Sequence, residues 1–263
     1  MQHSALLNVM IAAARKAART LKRDFGEVEN LQVSLKGPGN FVTAADRKAE
    51  ETLKAELAKA RPGYSFLGEE SGSHAGTDAT HTWIVDPLDG TTNFLHGIPQ
   101  FAISIGLERS GTIVAGVIYN PITDELFVAE RGKGAFLNDK RLRVAARKRL
   151  ADSVIACGLP HLGRGDLDLG LRELSAIQDK VAGLRRFGAA ALDMAFVAAG
   201  RLDGYWERNI SPWDIAAGII ILREAGGFVT DIDGADAMFT KKHVVAGNET
   251  IQRELQRLLK AAS

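Results

Sequence analysis

The chain lacks most of the features that would assign it to a special class. It carries one cysteine, Cys157, in 263 residues. No internal disulfide is therefore possible, and a four-thiolate zinc site is excluded. No run of 18 or more apolar residues occurs, so no membrane-spanning helix is expected. The N-terminal stretch MQHSALLNVMIAAARKAARTLKRDF has its basic residues after the apolar ones, in a helical pattern, and does not have the order of a signal peptide. Charge of one sign is not in excess either. The net charge is +1, which gives no general attraction to nucleic acid or membrane. The six histidines show no His-x-x-His or HExxH spacing, which argues against a zinc site. The expectation that remains is a soluble, cytoplasmic globular protein. With 46% hydrophobic and 25% charged residues, it has enough apolar surface to bury a core.

The pattern along the chain is mixed. Leu6, Met10, Ala13, Ala17 and Leu21 recur at helical spacing. A second helix is expected from about Thr43 to Ala60, with Ala49, Leu53 and Leu57 on one face and Pro62-Gly63 as its stop. YSFLG reads as a short strand. FAISIGLE, TIVAGVIYN and ELFVAE are strand-like runs separated by turn residues, and GKGAFLNDKRLRV continues as a hairpin turning at Asn138-Asp139. Sequential strands of this kind imply an antiparallel region. Beyond about residue 150 the pattern changes. SVIACGLP, LDGYWE, FVTDIDG and HVVAGN read as strands. Helices are expected at Leu167, Leu171, Leu174, Ile177 and Val181, in AALDMAFVAAG, in SPWDIAAGIIILREAGG and over 249–262. The chain is read as one unit, 1–263, with an α+β part to about 150 and an α/β part from about 151.

The stretch WIVDPLDGTTNF, 83–94, is the most informative. A residue before proline is pushed toward extended backbone, so Asp86 should end the strand Thr82 to Val85, with Leu88 and Asp89 forming the turn. Gly90 suits unusual backbone angles, and Thr91 and Thr92 could open a helix whose free N–H groups receive an anion. Carboxylates beside such amides suit magnesium bound together with a phosphate. The plainer alternative is a turn at Asp89-Gly90 with Asp86 as a cap. Glu69 and Glu70 directly follow a strand, and Asp214 occupies the third position of a helix begun by Ser211 and Pro212. Each alone fits solvation or the helix dipole. Three carboxylate sites at element ends point to a common purpose.

These residues resemble the inositol monophosphatase family. The matching segments are GNFVTAAD at 39–46, GEES at 68–71, DPLDGTTNF at 86–94, RGKGAFLND at 131–139, GAAALDMAFVAAGRLDGYWE at 188–207, WDIAAG at 213–218 and EAGG at 224–227. The resemblance implies a layered α-β-α-β-α sandwich, a homodimer and magnesium-dependent, lithium-inhibited hydrolysis of a phosphate monoester, with inositol phosphate as the leading substrate. By the same resemblance Glu69, Asp86 and the Leu88 carbonyl would hold a first magnesium ion. Asp86, Asp89 and Asp214 would hold a second, and a looser third would share Glu69, with Lys36 nearby. Gly90 and Thr91 would hold the phosphate, and Asp46 and Thr91 would orient the attacking water. Asp89, Ala190, Glu207 and Asp214 would face the substrate's alcohol portion. The segment ACGLPHLG matches no single family contact, which leaves histidinol phosphate, fructose bisphosphate and nucleotide phosphates open as substrates.

Other residues receive plainer readings. Cys157 falls in an apolar strand and reads as core. His96 reads as an exposed loop residue. The basic run KRLRVAARKR, 140–149, is the nucleic-acid candidate. It lacks interleaved aromatics and reads as a solvated strand face and loop.

Overall fold

The computed structural model describes residues 3–25, 33–37, 40–161 and 164–263, with the backbone alone for 33–37 and 40–43. Among these residues an eight-stranded and a five-stranded sheet carry the architecture. Edge to edge, the larger takes Lys140–Arg141, Gly134–Leu137, Glu125–Glu130, Thr112–Asn120, Ala102–Arg109, Asp78–Asp89, Tyr64–Gly68 and Gly72–His74. Its strands pair antiparallel except where Tyr64–Gly68 runs parallel to Asp78–Asp89. The smaller orders Gly183–Arg185, Val154–Cys157, Gly204–Arg208, His243–Gly247 and Phe228–Thr230.

Both faces of the large sheet are buried, which is why its central strands read as continuous apolar runs. Trp83 and Val85 pack toward helices Ala5–Phe25 and Ala44–Ala60, while Ile84 between them packs toward helices Ala190–Ala198 and Pro212–Glu224. That second helical pair also covers the inner face of the small sheet. Helices Leu167–Gln178 and Glu249–Ala262 cover its outer face. The result is the α-β-α-β-α layering.

Two glycines let the central layer come close. Gly106 and Gly116 are cross-strand partners, and a Cβ on Gly106 would lie 2.7 Å from the Ala216 Cβ. On Gly116 it would lie 2.8 Å from the Ala217 carbonyl oxygen. Helix Pro212–Glu224 therefore rests on bare backbone.

Several sequence expectations are corrected. The strand expected to end at Val85 runs on to Asp89, because its pairing with Ala102–Arg109 continues through a register shift between Asp86 and Asp89. Leu88 and Asp89 are thus strand residues and not the turn. Leu167 and Leu171 lie on a helix, but they are 58% and 53% exposed. The buried face is Gly170, Glu173 and Ile177, and Val181 lies past the helix end. In FVTDIDG only Phe228–Thr230 is strand, since Asp231 turns the chain by accepting the Ala235 N–H at 2.8 Å. The hairpin of Val33–Gly37 with Asn40–Thr43 and the strand Gly183–Arg185 were not anticipated.

Candidate active site

The parallel pairing of Tyr64–Gly68 with Asp78–Asp89 brings two strand ends together. The Glu69 N–H donates to the Val85 carbonyl at 3.2 Å, so Glu69 lies beside Asp86, where open α/β sheets collect ligands. The turn after Glu69 is pinned by Glu50. This buried carboxylate accepts the N–H groups of Glu70 and Ser71, both at 2.8 Å. Gly68 makes room for it, since a Cβ there would lie 2.4 Å from Glu50 Oε2.

The bulge between Asp86 and Asp89 has a consequence for chemistry. In a regular strand, residues three apart face opposite sides of the sheet. One extra residue against the partner strand lets both carboxylates line the same cavity. Pro87 suits this segment because it has no N–H to pair. The Leu88 N–H donates to Asp86 Oδ1 at 2.9 Å, and the Ala191 N–H donates to Asp89 Oδ2 at 2.7 Å. Gly90 follows in the left-handed region at φ 93°, and a Cβ there would lie 2.9 Å from the Gln100 carbonyl oxygen. The Thr91 hydroxyl then reaches both the Leu88 carbonyl at 3.1 Å and Asp46 Oδ1 at 3.2 Å.

Asp214 arrives from the central helical layer. Ser104, the cross-strand partner of Asp86, donates to the Trp213 carbonyl at 3.3 Å, which ties the helix start to the sheet. Asp214 Oδ2 accepts the Ser211 N–H at 2.8 Å and so closes the helix N-terminus while lining the cavity.

Glu69, Asp86, Leu88, Asp89, Gly90, Thr91, Ala190, Glu207 and Asp214 all line one cavity of about 790 Å³. Asp46 does not. It is fully buried behind Thr91. Lys36 belongs to the strand Val33–Gly37, and its side chain lies outside the described residues. Of the two adjacent glutamates, Glu69 lines the cavity and Glu70 does not.

The electrostatics are those of crowded acids. Burial pushes the Asp86 carboxyl well above the usual range, and Glu69, Asp89 and Asp214 push it further. Burial and then Asp214 do the same to Asp89, against the Ala191 N–H. Asp214 is pushed up to about 7, mainly by burial. Asp86, Asp89 and Asp214 have no ion-pair partner among the described residues. A cation bound among these carboxylates would relieve repulsion of this kind, as protonation would.

The opposite wall was only partly anticipated. Glu207 accepts the Tyr205 hydroxyl and lies against Gly158, where a Cβ would be 1.9 Å from its carboxyl carbon. Asp193, buried in the first turn of Ala190–Ala198, has one carboxylate oxygen without a partner among the described residues, and burial and Glu207 raise its pKa. Cys157 is buried, with its thiol pushed up to about 12 by burial and by Glu207. Asn93 Nδ2 donates to the carbonyls of Gln100 at 2.7 Å and Phe187 at 2.8 Å, tying the motif to the substrate-side wall. His96 is exposed and does not line the cavity.

Sequence reasoning missed Glu50, Asn93, Gly158 and Asp193. A charge at position 50, three before Leu53 and seven before Leu57 on the apolar stripe, was a readable signal for Glu50. An aspartate inside the Ala-rich AALDMAFVAAG was one for Asp193. Gly158 had none, because its neighbour Glu207 is 49 residues away.

The family model described as Inositol monophosphatase family matches residues 2–263. An inositol-1-monophosphatase of Mesorhizobium japonicum is 65% identical over 260 residues, covering 99% of this chain and 98% of that protein. A protein of Pseudomonas aeruginosa named Nus factor SuhB is 42% identical over 247 residues, covering 92% and 91%. The crystal structure of extragenic suppressor protein suhB from Bartonella henselae superposes with a TM-score of 0.95 at 62% identity, covering 98% of this chain and 99% of that one. The acid-lined cavity thus belongs to a phosphatase, and the chain is a member of the inositol monophosphatase family.

Proposed function

We propose that the protein hydrolyses inositol monophosphate to myo-inositol and phosphate, with two to three magnesium ions per subunit and as a homodimer. The observation that carries this is the convergence of Glu69, Asp86, Asp89 and Asp214 from three segments on one cavity, where Asp86, Asp89 and Asp214 raise one another's or their neighbours' pKa and form no ion pair among the described residues. All the donors are oxygen, which fits a hard cation and no soft one. Among the described residues no three acidic, histidine or cysteine side chains close around one metal position, so Asp86, Asp89 and Asp214 would have to draw together on a bound ion. Magnesium keeps water and substrate phosphate in the rest of its shell.

Glu69, Asp86 and the Leu88 carbonyl would hold one ion, and Asp86, Asp89 and Asp214 another, with a third sharing Glu69. When bound, the metal cancels the ester's charge, makes a water nucleophilic and neutralises the leaving oxygen. Thr91 gives its single proton to Asp46 or to the Leu88 carbonyl. Its oxygen is then left to accept a hydrogen bond from the attacking water. Asp46 acts through Thr91 as a positioning residue. Gly90 and Thr91 receive the phosphate, and Ala190 and Glu207 face the inositol ring. The absence of a required cysteine or histidine nucleophile fits direct attack by water.

Phosphate release from inositol 1-phosphate, measured in chelator and after magnesium is restored, tests the reading. Activity should vanish and return, and lithium should inhibit it. Full activity in chelator overturns the scheme. A panel of histidinol phosphate, fructose 1,6-bisphosphate and nucleotide phosphates tests the substrate.

A second reading adds a transcription-associated role, favoured by the relatives named Nus factor SuhB at 38% to 42% identity. In the basic run 140–149, Arg147 pairs with Asp203 and Arg149 with Asp152, while Lys140, Arg141, Arg143 and Lys148 stay exposed and form no ion pair among the described residues. A pull-down with RNA across a salt series separates the two, since RNA binding should weaken steeply with salt.

A further inference from the structure

The cavity continues past the acids to a basic wall. Arg164 and Arg186 line it together with Glu207. His161 gathers them. Arg186 Nη2 lies 3.5 Å from His161 Nδ1, while the Arg164 N–H donates to the His161 carbonyl at 2.9 Å and the His161 N–H donates back at 3.3 Å. Of the other cations of the cavity, Arg208 is engaged with Glu173 at 2.6 Å and Lys241 with Asp233 at 3.7 Å, while Lys242 forms no ion pair among the described residues. Arg164 and Arg186 form no ion pair among the described residues, and both side chains are exposed. Both act electrostatically on Glu207, Arg186 also on Asp193 and Arg164 also on Asp214, but neither guanidinium hydrogen-bonds to these acids among the described residues, and the hydrogen bond to Glu207 comes from Tyr205. Two unpaired guanidinium forks on one wall are built to grip a phosphate. A cavity of about 790 Å³ lies in the upper part of the usual ligand-site range, so it has room beyond one hexitol monoester.

We propose that Arg164 and Arg186 form a second phosphate subsite, so that the enzyme favours substrates carrying another phosphate on the alcohol portion. This rests on the hydrolase reading above. The test compares fructose 1-phosphate with fructose 1,6-bisphosphate, which differ by one phosphate, and includes inositol 1-phosphate as a third substrate. In the intact protein kcat/KM should favour the bisphosphate by about tenfold or more, mostly through KM. In the Arg164→Gln/Arg186→Gln variant the ratio should fall to within about twofold. Arg186→Lys should keep part of it. Each ratio comes from one preparation, so partial misfolding cancels. Equal values in the intact protein, or a preference that survives in the double variant, overturn the proposal. If none of the three substrates is hydrolysed, the hydrolase reading fails instead. Calorimetric binding of the two sugar phosphates then still reads the subsite: tighter bisphosphate binding that the double variant loses supports it, and equal binding sinks it.

Discussion

Glu207 occupies the space that a side chain on Gly158 would need. A Cβ there would lie 1.9 Å from the Glu207 carboxyl carbon, while the Gly158 N–H donates to the Trp206 carbonyl at 3.0 Å and fixes the backbone in place. Gly158→Ala should therefore push Glu207 off its position at an overpacking cost of ~1–3 kcal/mol in stability. Its kcat/KM for inositol 1-phosphate should fall by roughly one power of ten, toward that of Glu207→Gln, because a hydroxyl bond to a charged group is lost. A small phosphate ester without ring hydroxyls should lose little in either variant. Equal losses on both substrates would assign Glu207 to the metals or to the fold.

Asp214→Asn should keep the fold and nearly abolish turnover. An asparagine oxygen can still accept the Ser211 N–H that Asp214 takes at 2.8 Å. The variant also removes one acid from a crowded group, so its melting temperature in chelator should hold or rise. If Asp214 only favoured the helix dipole, activity would survive and stability would fall by ~1 kcal/mol. Melting curves and rates on the same preparation distinguish these outcomes.

The metal-free protein should lose stability as pH rises. Asp214 titrates at about 7 in the fold, and Asp86 and Asp89 are held well above their usual range. A carboxyl raised in the fold contributes fully below its unfolded pKa of about 4, and that contribution is lost as pH rises through the folded value. Asp78, held down to about 2, and the lowered Glu56 and Glu130 act the opposite way, but their contribution is complete near the lower end of this window and does not mask the trend above it. Thermal melts in chelator should fall between about pH 4 and 7, and magnesium should restore most at the upper end. A melting temperature in chelator that climbs across this window would remove the picture of crowded acids.

Glu50→Gln should act on the metal site without touching it. The variant leaves one carbonyl oxygen for two N–H groups, those of Glu70 and Ser71, so one buried donor is orphaned at a cost of ~1–3 kcal/mol. The turn carrying Glu69 should loosen, and the magnesium concentration for half-maximal activity should rise by several-fold. A variant destabilised to this extent but with an unchanged magnesium requirement would confine Glu50 to a structural role.

The local elements were legible because their causes are local. The helix Pro212–Glu224 announces itself by Ser211, Pro212 and Asp214, and the hairpin turn at Asn138-Asp139 by two residues that tolerate positive φ. Burial of the large sheet on both faces shows as the apolar runs of Ala102–Arg109 and Thr112–Asn120. The acids Glu69, Asp86, Asp89, Glu207 and Asp214 were named from motif and resemblance before any contact was visible. Periodicity failed at Leu167 and Leu171, where the apolar spacing was helical but the covered face was Gly170, Glu173 and Ile177.

What only the tertiary structure decided lies in distances between residues remote in sequence. That Asp86 and Asp89 face one side depends on pairing with Ala102–Arg109, because the extra residue exists only relative to that partner strand. The place of Asp214 depends on Gly106 and Gly116, whose missing side chains let a helix about a hundred residues later settle on the sheet. Glu50 holding the Glu69 turn, Gly158 yielding to Glu207, and Arg164 meeting Arg186 through His161 are likewise close contacts of separate segments. The sequence by itself determined which residues could carry charge, turn the chain or vanish into backbone. Which of them meet was settled by packing, since excluded volume and the pairing of buried N–H and carbonyl groups act between elements and leave no periodic trace along the chain.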